Sequence, residues 1–295
     1  MTINSTNIPS VLGPWTIINF LNIKSDTVIA VVTLENKNDT NEKLNKYKWV
    51  IKIREIDDDE IYQILLLQKY KVPNIVDFPS DVSNYYMYGN TSSYSWYAMK
   101  KYDYILDKQI IYTSKIKSLV ECGMKFMYSL HSINYIYSDF KFDNIFYDYQ
   151  LNTFIFADYE SIGRISNSKL EDYSSDYKYY YFAKGGSFNH PFKSYKFDLT
   201  CFGLMIAKML WKEDYNKCVT WEFENECEKY RKTTFVTEKQ INNLEKLREQ
   251  ELKNIYDGQF NPSLQLYFNL VNEYEWNEKI CKDKSYYHKL TKVFV

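Results

Sequence analysis

LHSINYIYSDFKFDNIFYDYQLNTFIFADYESIG, residues 130–163, is the stretch on which the reading of this chain turns. It sets Asp139, Lys141 two residues later and Asn144 five residues later on one side of a turn-rich segment, and Asp158 on the other. Asn144 to Tyr147 and Thr153 to Ala157 read as two short strands joined by that turn, so the second aspartate comes back across a hairpin to the same mouth. A carboxylate to orient and deprotonate a hydroxyl, a cation near migrating charge, and two oxygen ligands for magnesium are what phosphoryl transfer needs. On that pattern Asp139 is the candidate base, Lys141 the cation, and Asn144 and Asp158 the metal ligands.

Upstream, Ile116, Leu119, Val120, Met124, Met127 and Leu130 recur at helical spacing and predict a buried helix. Earlier still, Trp15 to Leu21, Thr27 to Leu34 and Tyr47 to Ile53 are dense in β-branched and aromatic residues and read as strands, with the polar run Glu35 to Lys46 as an exposed hairpin loop. Glu55 to Tyr70 reads as a helix with Ile61, Ile64, Leu65 and Gln68 on one face, ended by Pro73. Strands are expected around Tyr85 to Tyr88 and Tyr94 to Met99. The first hundred residues thus read as an antiparallel sheet carrying one helix. Downstream, helices are expected over Phe197 to Leu210, Glu238 to Asn254 and Ser263 to Asn272, and 163–191 is polar, tyrosine-rich and irregular, a length that is usually functional or mobile.

Composition sets the exclusions. The chain has 295 residues and a formal net charge of -1, which argues against a globally basic nucleic-acid binder. Its 5 cysteines form no C-x-x-C pair, so neither a disulfide framework nor a zinc site is suggested, and a reducing, cytoplasmic setting fits. No apolar run approaches membrane-spanning length, and the first residues lack a leader pattern. The 8 glycines stand at 13, 89, 123, 163, 185, 186, 203 and 258, with no G-x-G-x-x-G or G-x-x-x-x-G-K-[ST] among them. Any phosphate cradle here is atypical.

In its order of motifs the chain resembles the eukaryotic protein-kinase superfamily, over nearly its whole length. The catalytic loop of that family corresponds to Tyr137 through Asn144, its Asp-Phe-Gly motif to Asp158-Tyr159-Glu160, and its Val-Ala-Ile-Lys strand to Trp49-Val50-Ile51-Lys52. Glu60 is then the carboxylate that pairs with Lys52 and holds it on nucleotide phosphates, although beside Asp57, Asp58 and Asp59 it also reads as a plain acidic helix start. Met99 and Lys101 fall at the hinge of the nucleotide site, and Asn22, Ser25 and Val28 at the roof. Asp198 looks like the buried aspartate that ties down the catalytic loop. The segment from Leu266 to Leu290 resembles the closing pattern of the casein kinase 1 and vaccinia-related kinase group without its proline, and the AT-rich residue usage suggests a poxvirus or giant-virus type member, in host cytoplasm or virion.

The resemblance implies an α+β bilobal fold, with a sheet-based N-lobe over 1–101 and a mainly helical C-lobe over 102–295, and ATP and Mg2+ as cofactors. It implies a serine/threonine kinase acting on a protein substrate. Three departures bear on that. No glycine stands between Leu21 and Val28, Glu160 replaces the third residue of Asp-Phe-Gly, and Ser138 stands where an arginine would receive an activation-segment phosphate. The last departure implies activity without such phosphorylation. An inactive pseudokinase that binds a host or viral protein is therefore the second reading. A small-molecule kinase of aminoglycoside or choline type, where D-x-E motifs occur, is the third.

Overall fold

The β-branched runs near the N-terminus form strands because their side chains alternate between a buried and a half-buried face. The computed structural model describes residues 7–24, 27–35, 42–55, 60–79, 83–102, 115–137, 139–166, 169–170, 194–219, 222, 225–226 and 237–294. By internal contact the chain divides into two compact units, Met1–Lys69 with Ile75–Asp103, and Tyr70–Asn74 with Tyr104–Val295.

The first unit is built on one six-stranded sheet in the order β1-β2-β3-β4-β6-β5, with every neighbouring pair antiparallel. The strands are β1 (Val11–Leu12), β2 (Trp15–Ile23), β3 (Thr27–Leu34), β4 (Trp49–Glu55), β5 (Tyr88–Asn90) and β6 (Tyr94–Lys100). On β3 the even residues Val28, Ala30, Val32 and Leu34 are buried, and with Trp49, Ile51, Ile53 and Trp96 most of them form a core on one face. Burying each such side chain stabilises by about 1.5–3 kcal/mol. Trp96 lies tight against two glycines: a Cβ at Gly13 or at Gly89 would stand 2.6 Å from its ring, and Gly13 has a left-handed φ of 58°.

Three local readings differ from the sequence expectation. The polar run before β4 contains the short helix α1 (Glu42–Lys46), because Leu44 is buried and its carbonyl accepts the Trp49 indole N–H at 2.9 Å. Residues 84–87 are the helical turn α3 (Asn84–Met87) rather than a strand, since Ser83 Oγ caps it by accepting the Tyr85 N–H at 3.1 Å. The helix expected from Glu55 is α2 (Glu60–Lys69), and β4 itself runs to Glu55. Its buried residues are Glu60, Gln63, Ile64, Leu66 and Leu67; of the expected face only Ile64 is buried, while Ile61, Leu65 and Gln68 are half-buried, and Lys52 pairs with Glu60 on the buried side. Pro73 does not end it, for the helix stops at Lys69 and Lys71 turns left-handed at φ 51°.

The second unit is mainly helical. Its centre is α4 (Ile116–His131), whose Leu119, Val120, Met127 and Leu130 are fully buried, and α5 (Tyr195–Leu210). They cross closely, since a Cβ on Gly123 would stand 2.3 Å from Phe202. Between them lie β7 (Tyr135–Ile136), a 3-10 turn (Phe142–Asn144), and the hairpin β8 (Ile145–Asp148) and β9 (Thr153–Phe156). Asp148 Oδ1 accepts the N–H groups of Gln150 and Leu151, and Asn152 takes a φ of 50°, which closes the hairpin. The start of the region expected to be irregular is regular: β10 (Gly163–Ser166) pairs with β7 and with β11 (Lys169–Leu170). The tyrosines 173–181 and Asn189 to Phe192 lie outside the described residues.

Helices α6 (Lys212–Cys218), α7 (Glu238–Tyr256), α8 (Pro262–Glu273), α9 (Glu278–Cys281) and α10 (Lys284–Lys292) complete the unit. Their starts are written in the sequence: a capping box at Thr237 and Gln240, Asn261 before Pro262, and side-chain caps from Asn277 and Asp283. Among the described residues no helix is long and apolar enough to cross a membrane. Cys122, Cys201, Cys218 and Cys281 are buried free thiols.

Candidate active site

Antiparallel register decides which side chains share a face of the first unit's sheet. Lys52 on β4 stands opposite Ile29 on β3 and Tyr97 on β6, and Val50 stands opposite Met99. Lys52 is 7% exposed, and its Nζ donates to Glu60 Oε2 at 2.7 Å. Glu60 has no solvent exposure; its other oxygen accepts the Tyr97 hydroxyl at 2.8 Å, and Arg54 Nη1 lies 3.8 Å from Oε2. A buried carboxylate met on both oxygens is what makes this burial tolerable. Tyr97 was not singled out by the sequence, although its position two residues before Met99 puts it in register with Lys52.

Two roof residues are placed differently from expectation. Val28 stands opposite Ile53, belongs to the core with Ile51 and Ile53, and so faces away from the Lys52 side of the sheet. The half-buried residues on the Lys52 side are Ile29 and Val31, since Ile29 stands opposite Lys52 and side chains alternate along the strand. Lys24 N–H closes that connection on Thr27 carbonyl oxygen at 2.8 Å. Asn22 is exposed and paired with Ile29 in the ladder, so its backbone is already committed. Ser25 lies outside the described residues. Met99 is buried, and the Lys101 N–H donates to Lys48 carbonyl oxygen at 2.7 Å.

In the second unit the loop after β7 gathers Asp139, Lys141 and Asn144. Asp139 Oδ2 accepts from Lys141 Nζ at 2.6 Å and from Asn144 Nδ2 at 2.7 Å, and Nδ2 also reaches the Asp139 carbonyl at 3.2 Å. Lys141 Nζ lies 3.9 Å from Asp158 Oδ2, so one cation serves two carboxylates. Burial pushes the Asp139 carboxyl up, Lys141 and Asn144 work against that, and Asp158 adds to it by repulsion. Burial would lower Lys141, but Asp139, Asp158 and Glu160 hold it above its ordinary value. The 3-10 turn Phe142–Asn144 brings Asn144 back towards Asp139, and the Ala157 N–H donates to Asn144 carbonyl oxygen at 2.8 Å, joining the loop to the end of β9.

Asp158 has φ 63°, in the left-handed region that side chains other than Asn, Asp and Gly seldom adopt. Such strain persists where the surroundings over-determine it. Here the Tyr137 hydroxyl donates to the carbonyl of Ala157, and the Tyr159 hydroxyl to that of Phe156 at 2.6 Å. Tyr137 is fully buried between Phe126 and Phe140, with its N–H on Asp198 Oδ2 at 2.7 Å and its carbonyl accepting Ser161 Oγ at 2.8 Å. Burial keeps its phenol protonated by pushing its pKa well up. Asp198 also meets His131 Nε2 at 3.0 Å. The sequence reading has Tyr137 only as the first residue of the catalytic-loop match, with no role for its hydroxyl, and does not single out Ser161.

The donors fit a hard cation: Asp158 offers a carboxylate and Asn144 an amide oxygen, the ligand chemistry Mg2+ prefers. No protein-family model matches the chain, and no curated protein sequence matches it. Among solved structures it is similar to the structure of vaccinia related kinase 3, with a TM-score of 0.61 at 13% identity over 98% of this chain and 91% of that one. An antiparallel sheet with one long helix beside its central strand, followed by a helical unit carrying paired strands, is thus a protein-kinase-like fold.

Proposed function

We propose that the chain is a divergent serine/threonine protein kinase that transfers the γ-phosphoryl of ATP to a protein hydroxyl, with residues 1–101 and 102–295 as its two lobes. The observation that carries this reading is Asp139, held by Lys141 and Asn144 at 2.6 and 2.7 Å on one oxygen in a buried loop. A carboxylate fixed in this way accepts the proton of an incoming hydroxyl while the neighbouring ammonium offsets charge gathering on the phosphoryl oxygens. Burial raises its pKa, which makes it a better proton acceptor than a surface aspartate, and Lys141 opposes that rise. Lys52, steadied by Glu60 and Tyr97, would meet the nucleotide phosphates, and Met99 and Lys101 would lie at the adenine. Asn144 and Asp158 would hold Mg2+, which when bound supplies charge neutralisation across the phosphates.

Replacing Asp139 with Asn tests the reading. Transfer to a generic protein acceptor should fall by about 10²–10⁴-fold, with ATP affinity retained. Incorporation at the wild-type rate would exclude Asp139 as the base. The glycine-free turn closed by Lys24 on Thr27 favours the second reading, a weak or inactive pseudokinase engaging a protein partner. That reading predicts no transfer by the wild type under any acceptor, even where ATP and magnesium raise its melting temperature.

A further inference from the structure

The last helix among the described residues, α10, reaches the end of α4, the helix that leads into the loop carrying Asp139. Tyr287 on α10 is 2% exposed, and its hydroxyl lies 2.7 Å from His131 Nδ1, a partner 156 residues away. The opposite ring nitrogen, Nε2, lies 3.0 Å from Asp198 Oδ2, and that same oxygen accepts the Tyr137 N–H at 2.7 Å. His131 and Asp198 have no solvent exposure. A carboxylate oxygen only accepts, so Nε2 carries a proton, and on a ring with that single proton Nδ1 accepts from the Tyr287 hydroxyl. The chain of contacts runs Tyr287, His131, Asp198, Tyr137, and ends two residues before Asp139.

We propose that Tyr287 is a positioning residue for Asp139: Asp198 fixes the His131 tautomer, and the Tyr287 hydroxyl, donating to Nδ1, holds the ring so that Nε2–H aims at Asp198 and through it fixes the backbone at Tyr137. This rests on the kinase reading only for its effect on rate. Tyr287 is well suited to the task because its ring is held without its hydroxyl, by Tyr128 at 5.4 Å, Trp276 at 5.6 Å and His131 at 5.8 Å between centroids. The hydroxyl also neighbours the Cys281 thiol, which burial pushes up to about 12 and so keeps protonated. In a fully buried network every orphaned donor or acceptor costs its desolvation, so losing one hydroxyl propagates along the chain.

The test compares full-length Tyr287→Phe with Thr291→Val, which removes only the Thr291 hydroxyl bond to the Tyr287 carbonyl at 2.9 Å. In Tyr287→Phe the Tyr137 amide should exchange with solvent about ten-fold faster and kcat should fall about ten-fold, with KM for ATP and acceptor within about two-fold. Thr291→Val should change neither. Unaltered exchange at Tyr137 in the Phe variant overturns the proposal, as does a loss of kcat that Thr291→Val shares. Faster exchange alongside a wild type that transfers no phosphate supports the positioning contact and overturns the kinase reading instead. Nitrogen NMR of the wild type needs no variant: the chain has 3 histidines, and His131 should show the Nε2–H tautomer. An Nδ1–H tautomer would sink the proposal.

Discussion

Residues 23–28 and residues 137–145 are both short connections beside buried strands, and they are secured in opposite ways. The first is shut by its ladder, Ile23 opposite Val28 and Lys24 N–H on Thr27, and residues 21–24 are exposed. The second is held by three side chains and one backbone bond: Asp198 on the Tyr137 N–H, Ser161 on its carbonyl, Asn144 on Asp139, and the Ala157 N–H on the Asn144 carbonyl. A turn held by its own backbone tolerates sequence change and offers little to a ligand. A loop fixed by buried polar groups specifies one geometry and loses it when any member is removed. On the kinase reading proposed above, gripping a nucleotide and transferring its phosphate would be separable demands, and the second the better protected.

The largest expected effect tests whether the first unit has any comparably fixed point. Lys52→Met removes the partner that stands 2.7 Å from the fully buried Glu60 carboxylate, and should cost about 3–5 kcal/mol in urea unfolding. A cost under about 1 kcal/mol would mean that Glu60 takes up a proton instead of staying charged. Asp158 sharpens the other side. With φ at 63°, Asp158→Gly should be more stable than Asp158→Ala by about 1 kcal/mol, the reverse of their order in a helix, while both abolish transfer. Equal stability of the two would show that the left-handed turn carries no strain.

Lys141→Met should move the acid limb of the pH–rate profile upward. Lys141 opposes the burial that raises Asp139, so its removal lifts that pKa further and the base protonates at higher pH. The stability linkage has the same sign: an aspartate raised in the folded state contributes most below its unfolded pKa, and that contribution is lost as pH rises through the folded value. The variant should therefore be relatively most stable in acid. An unmoved limb would assign it to another group. The smallest effect is Asn22→Ala, which should alter ATP affinity by no more than about two-fold, because the side chain is exposed and the backbone is held in the ladder. A ten-fold loss would erase the contrast between the two connections.

The protein-kinase-like fold was legible because its markers are local: β-branched strands, a buried helix at regular spacing, and a cluster confined to 139–158. What escaped was set by partners distant in sequence. Val28 was assigned to the wrong face because alternation fixes faces only once the hairpin register is known, and register depends on where Lys24 meets Thr27. The α2 face was misjudged because counting apolar residues ignores a buried Glu60, which pairs with Lys52 while Ile61 and Leu65 stay half-buried. Leu44 and Ser83 nucleate short helices through single contacts that no periodicity records. Tyr137 and Tyr287 stood inside motifs the sequence displays, but the duties of their hydroxyls did not, since nothing in a tyrosine's neighbours announces that its hydroxyl will be needed.

Trp96, pressed between Gly13 and Gly89, has a practical consequence. It lies in one cluster with Trp15 and Trp49, whose rings are 5.9 Å apart, and all three indoles are buried in the sheet of the first unit. Their emission shifts to the red as water reaches them, and in a variant with Trp211, Trp221 and Trp276 replaced by Phe it would report on that sheet by itself. A ligand that stabilises the first unit would register as a displaced fluorescence transition, without any need to observe phosphate transfer.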